Sequence, residues 1–115
     1  MSEQWVDVCP AEGIEPADVI RFDHGSRTFA VYRTADDRYF ATDGLCTHGR
    51  VHLGDGFVDG TTIECAKHNG RFDFITGVAK GAPAIVDLTC HRVRVVGGAI
   101  QLLIADDIHR LNSCE

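Results

Sequence analysis

Apolar residues in this chain come in short runs, never longer than four, broken by polar or glycine-containing segments. The runs that read as strands are Gln4 to Val8, Val19 to Phe22, Thr28 to Arg33, Tyr39 to Thr42, Thr61 to Glu64, Arg71 to Asp73, Val86 to Leu88, Arg92 to Val96 and Ala99 to Ile104. Alternation is clearest in Thr28-Phe29-Ala30-Val31-Tyr32 and Arg92-Val93-Arg94-Val95, where one face reads apolar. His24-Gly25, Asp36-Asp37, Asp59-Gly60 and Gly97-Gly98 favour tight reversals. A helical turn fits only Pro16 to Val19 and the tail after Ala105. The pattern predicts an all-β sandwich or barrel of short antiparallel strands. With no internal repeat, linker or low-complexity segment, residues 1–115 are expected to form one domain.

Composition narrows the class without choosing a function. A chain of 115 residues can bury roughly two-thirds of its unfolded surface, enough for a core without disulfides. No stretch approaches the about 20 apolar residues of a membrane span. The start, Met1-Ser2-Glu3-Gln4, lacks the basic-then-apolar order of a secretory signal, so a cytoplasmic location is expected. Eleven Lys and Arg against 17 Asp and Glu give a net charge of -6, which argues against nucleic acid as a partner. The same charge suits either docking on a basic protein face or simple solubility. Five cysteines, an odd number spread along the chain, match a secreted disulfide framework poorly.

Four residues in two short pieces carry the chemistry: Cys46-Thr47-His48 and, after sixteen intervening residues, Cys65-Ala66-Lys67-His68. Each piece offers one thiolate and one imidazole. A Rieske-type [2Fe-2S] centre needs that inventory, since two Cys hold one iron and two His replace Cys on the other. Structural zinc also uses Cys and His, but its ligand pairs are usually two to four residues apart, so a single spacer in Cys46-Thr47-His48 favours iron-sulfur. Zinc stays open as the rival metal. Both pieces follow strands and therefore fall on loops that can converge at one end of a sheet. Gly44, Gly49 and Gly70 flank them and allow main chain to approach a cluster closely.

The residues around these pieces say more. Cys46-Thr47-His48-Gly49-Arg50-Val51, Asp55-Gly56-Phe57-Val58-Asp59-Gly60, Ile63-Glu64-Cys65-Ala66-Lys67-His68-Asn69-Gly70-Arg71-Phe72-Asp73, Thr76-Gly77 and Ala82-Pro83 together resemble the Rieske ferredoxins of bacterial aromatic-ring dioxygenase systems. The likeness runs from about Phe40 to Leu103. It implies a Rieske fold, three stacked antiparallel sheets with the cluster-binding loops at one tip. It implies one [2Fe-2S] cluster whose inner iron is held by Cys46 and Cys65 and whose outer iron is held by His48 and His68, with the loop containing Pro83 covering a third side. The high-potential Rieske proteins of respiratory chains carry two further loop cysteines and a sulfur-bonding serine. By motif position these fall at Val51, Lys67 and Arg71, so this chain lacks both devices. A potential at the low end of the Rieske range, about -150 mV, is expected.

The function implied is a cytoplasmic, monomeric electron carrier that takes one electron from a flavin-dependent ferredoxin reductase and passes it to a terminal Rieske oxygenase, with no nucleic acid or membrane partner and no catalysis of its own. Two alternatives stand beside it: a small Rieske subunit of another oxidoreductase such as nitrite reductase, and a zinc-stabilised β-domain that binds a protein. The remaining titratable residues receive ordinary readings. His24, His52, His91 and His109 lack paired ligand spacing and are assigned to packing or surface, His52 being the one near a ligand loop. Cys9, Cys90 and Cys114 read as buried thiols or surface residues. Trp5 and one of Phe72 and Phe74 are expected in the core.

Overall fold

A computed structural model describes residues 3–47, 51–67, 70–81 and 86–105. Eleven strands form three antiparallel sheets. The first sheet holds β1 (Glu3–Pro10), β10 (Val93–Val96) and β11 (Ala99–Ala105) in the order β1-β11-β10. The second holds β2 (Asp18–His24), β3 (Arg27–Arg33), β4 (Tyr39–Asp43) and β9 (Cys90–His91), in the order β2-β3-β4-β9. The third runs through β5 (Phe57–Asp59), β6 (Thr62–Glu64), β7 (Arg71–Asp73) and β8 (Ala79–Gly81) in chain order.

The second sheet lies in the middle, and β3 shows why. Phe29 and Val31 point into one buried cluster with Ala41, Ile14, Ile100 and Leu102, against the first sheet. Ala30 and Tyr32 point the other way, into a cluster with Val19, Ile63, Phe72, Phe74, Leu53, Leu88, Cys46 and Cys65, against the third. All four central residues of β3 are fully buried, so the expectation of a single apolar face fails there: a strand covered on both faces needs apolar residues at every position. In β10 the predicted apolar face is covered only at its start: Val93 is half-buried, while Val95 on the same face is 44% exposed. The reversal at Gly97-Gly98 joins Val96 to its partner Ala99, and both glycines have positive φ, 59° and 81°, as a two-residue hairpin turn requires.

Several expectations need correction. Val86 to Leu88 is not a strand. The Leu88 amide donates to the Gly77 carbonyl at 2.7 Å and the Asp87 carboxylate accepts from the Ala79 amide at 2.8 Å, so this segment crosses the third sheet by single contacts rather than a ladder. The strand begins at Cys90 instead. Pro16 to Val19 forms a turn into β2, with Ala17 at φ 60°, and the 3-10 turns lie at Ala11–Gly13 and Leu53–Asp55. Short strands at Phe57–Asp59 and Ala79–Gly81 join those predicted. Trp5 is only half-buried, with the Arg94 guanidinium 4.0 Å from its ring centroid on the outer side of the first sheet. Phe72 and Phe74 are both fully buried. Strand β7 stops at Asp73, whose carboxylate accepts from the Ile75 and Thr76 amides, and the resulting turn sends Phe74 inward to stack on Tyr32 at 4.3 Å. Cys90 is buried but stands in a disulfide, not as a thiol. The tail after Ala105, with His109 and Cys114, lies outside the described residues.

Candidate metal centre

Cys46 and Cys65 sit at the starts of two loops built alike. The Cys46 amide donates to the Val51 carbonyl at 2.9 Å, and the Cys65 amide donates to the Gly70 carbonyl at 2.7 Å. In both cases the bond closes a loop from a cysteine to the residue five positions on, and in both the sequence places a histidine inside the loop. The two side chains share one apolar cluster, at 3% and 2% exposure, and neither is in a disulfide. His48 and His68, together with Gly49 and Pro83, lie outside the described residues.

The two loops differ at their bases. The second stands on a regular ladder, β6 against β7, with Thr62, Ile63 and Glu64 opposite Asp73, Phe72 and Arg71. Under the first there is a single bridge between Leu45 and His52, plus one bond from the Leu53 amide to the Gly44 carbonyl at 2.7 Å. Gly44 was expected to let main chain approach a cluster. Its lack of a side chain makes room for His52: a Cβ there would come within 2.5 Å of His52 Nε2 and 3.0 Å of the Phe29 amide nitrogen. A third segment touches the first loop, since the Thr47 hydroxyl donates to the Val86 carbonyl at 2.6 Å. Thr47 is exposed, and its bond spans 39 positions of sequence.

The floor beneath the cysteines is aromatic and dry. Tyr32 stacks on Phe74 within 2° of parallel, and its buried hydroxyl meets that of Thr42 at 2.8 Å. Burial pushes the Tyr32 phenol far above its ordinary range, so it stays neutral. At the two positions that carry the extra cysteines in respiratory Rieske proteins, Val51 packs against the apolar cluster and Lys67 is exposed. Arg71 is exposed at the start of β7.

Two buried thiols brought into one apolar cluster suit a soft, sulfur-preferring metal centre. Among the described residues there is no group of three or more His, Cys, Asp or Glu side chains that could hold a different metal. The donor set therefore fits an iron-sulfur centre completed by residues of the two loops.

The fold and these loops define an iron-sulfur protein of the Rieske class. The chain matches the Rieske [2Fe-2S] domain family over residues 4–92 and belongs to that family. It binds one Rieske-type [2Fe-2S] cluster and is an electron-transfer ferredoxin rather than a catalyst. It is 36% identical over 102 residues to the ferredoxin component of a naphthalene 1,2-dioxygenase system of Pseudomonas aeruginosa, covering 89% of this chain and 97% of that protein. The Sphingomonas yanoikuyae B1 ferredoxin is 32% identical, with a TM-score of 0.82 over 89% of this chain and all of its own. The ferredoxin-sized match in a complex of reduced oxygenase and oxidised ferredoxin of carbazole 1,9a-dioxygenase is 35% identical, with a TM-score of 0.80 over 85% and 91% of the two chains. The zinc-domain alternative is set aside by the family.

Cys46 and Cys65 fall in one buried cluster, and His52, assigned to packing or surface near a ligand loop, is a buried residue at the base of the first loop. Lacking ligand spacing, it carried no metal signal. Its neighbour Gly54 was the available clue, since a glycine two residues on leaves its amide open to a ring nitrogen. Of the other histidines assigned to packing or surface, His91 has a buried side chain that bonds the Asp43 carboxylate at 2.7 Å while its ring meets Phe29 edge-on. No described helix is long and apolar enough to cross a membrane.

Proposed function

We propose that the chain is a one-domain, cytoplasmic and monomeric ferredoxin that carries one electron from a flavin-dependent reductase to a terminal Rieske oxygenase of an aromatic-ring dioxygenase system. In this reading Cys46 and Cys65 hold the inner iron and His48 and His68 the outer one. The observation that carries it is the paired loop construction: two cysteines of one buried cluster, each closing a six-residue loop that contains a histidine. The partners are supported by relatives named as ferredoxin components of dioxygenase systems and by the carbazole oxygenase–ferredoxin complex.

When bound, the cluster supplies a single reversible electron step, easier to reduce than a four-Cys centre because two neutral imidazoles replace two thiolates. The chain's own residues do the rest. The apolar cluster around Cys46 and Cys65 excludes water from the sulfur side, and the cysteine amides close both loops at their bases, which restrains the backbone that carries the histidines. A net charge of -6 steers the carrier toward basic partner faces.

The test is reconstitution. Oxidised protein is mixed with a flavin-dependent reductase and reduced nicotinamide, then with a terminal Rieske oxygenase and its aromatic substrate, using the reductase and oxygenase encoded beside the gene. Reduction followed by reoxidation coupled to product supports the proposal. A protein that is reduced but supports no turnover with those partners contradicts it, and favours service to another oxidoreductase.

A further inference from the structure

His52 is 5% exposed, and both ring nitrogens have partners. Nδ1 lies 2.8 Å from the Gly54 amide, which can only donate, so Nδ1 carries no proton and Nε2 does. Nε2 lies 2.8 Å from the Thr28 hydroxyl oxygen and donates to it. Thr28 in turn spends its own proton on the Asp23 carboxylate at 2.5 Å. The bonds run in one direction: Gly54 amide, His52, Thr28, Asp23. Every donor has an acceptor only while the imidazole is neutral. Protonated, Nδ1 would confront the Gly54 N–H donor to donor.

The charged groups facing the ring are Arg21 and Asp23 on β2 and Asp55 on the 3-10 turn. Burial and Arg21 push the imidazole below its ordinary value, while Asp23 and Asp55 oppose them more weakly. His52 also caps the Leu53–Asp55 turn. It thus joins three parts at once: the base of the Cys46–Val51 loop through the Leu45 bridge, the 3-10 turn through Gly54, and the β2–β3 hairpin through Thr28. The second loop needs no such tie, because the β6–β7 ladder already supports it over three residue pairs.

We propose that His52 is a positioning residue that takes the place of a missing strand ladder, anchoring the Cys46–Val51 loop to the β2–β3 hairpin and so setting the geometry in which that loop holds the cluster. The inference rests on Cys46 and His48 being ligands. Removing a partner behind a metal ligand typically weakens a site by about tenfold or more.

The experiment compares the full-length holoprotein with His52→Ala, His52→Asn and Thr28→Val by the electron paramagnetic resonance spectrum of the reduced cluster, its midpoint potential and its rate of loss. His52→Ala should shift the spectrum and the potential and speed cluster loss by about tenfold. Thr28→Val, which removes one acceptor from the chain, should move all three in the same direction and less. His52→Asn, which keeps an acceptor near the Gly54 amide, should recover part of the loss. His52→Ala combined with Thr28→Val should do no more than His52→Ala alone. If His52→Ala does not fold, Thr28→Val decides. A wild-type spectrum and loss rate in these variants, or a lowered unfolding midpoint with an unchanged spectrum, would overturn the proposal. Failure of the ligand reading would show separately, as a His48→Cys protein with an unaltered cluster spectrum.

Discussion

The Tyr32–Thr42 pair under the cysteines gives a prediction whose asymmetry can be worked out in advance. The Thr42 hydroxyl donates to the Asp43 carbonyl at 2.8 Å, so its proton is used and the Tyr32 hydroxyl must donate to Thr42. Both side chains are fully buried. Tyr32→Phe removes a donor and leaves an acceptor lone pair idle, while the Thr42 proton keeps its place; the cost is that of one net hydrogen bond, about 1 kcal/mol. Thr42→Val strands the Tyr32 hydroxyl in an apolar layer against Phe74 and also takes a donor from Asp43. It costs about 2–3 kcal/mol, the desolvation of a buried orphan plus a lost bond. The double variant removes both polar groups, so it should be less damaging than Thr42→Val alone. Guanidinium unfolding of the holoprotein, followed together by far-ultraviolet circular dichroism and cluster absorbance, gives the order of midpoints. The expected order from most to least stable is wild type, Tyr32→Phe, the double variant, then Thr42→Val, with the middle two close. A Tyr32→Phe protein as unstable as Thr42→Val, or a double variant showing the sum of both losses, would refute the donor assignment.

The remaining predictions concern potential and acid stability. Redox titration should place the midpoint near the low end of the Rieske range, about -150 mV, since the chain has Val51 and Lys67 where a loop disulfide would need cysteines; a clearly positive value contradicts it. His48→Cys or His68→Cys should lower the midpoint further or lose the cluster, and an unchanged midpoint would exclude that residue as a ligand. Because His52 has a lowered pKa in the folded chain, the unfolded chain binds the proton more readily. The stability this gives is present above the unfolded imidazole value, about 6.5, and is lost as pH falls through it toward the lower folded value. Unfolding midpoints between pH 8 and pH 5 should therefore fall more steeply for wild type than for His52→Asn, and parallel curves would contradict the assignment.

Much of the fold was readable because local chemistry and the final sheets agree. The hairpin at Gly97-Gly98 and the strands flanking His24-Gly25 follow directly from glycine turns between alternating runs. What failed were features decided by distant contacts. Whether β3 is covered on one face or two depends on two other sheets, and nothing in Phe29 to Tyr32 distinguishes those cases. Val86 to Leu88 has the composition of a strand, yet Gly77 and Ala79 take its hydrogen bonds singly. Phe72 and Phe74 stand two positions apart, where an extended strand places both on one face, so the expectation that only one of them is buried went against the period-2 pattern itself. At the site, the cysteines carried a spacing signal while His52 carried none. Its role arises from Thr28, twenty-four positions away, and from the space left by Gly44.

In the proposed centre two cysteines and two histidines of these loops share one cluster. The direct measurement is hyperfine spectroscopy of the dithionite-reduced protein with 15N-labelled histidine, alongside iron, zinc and acid-labile sulfide analysis. The expected result is two irons and two sulfides per chain, no zinc, and two strongly coupled imidazole nitrogens that drop to one or none in His48→Cys and His68→Cys. A cluster without nitrogen coupling, or a colourless protein holding stoichiometric zinc, would contradict it.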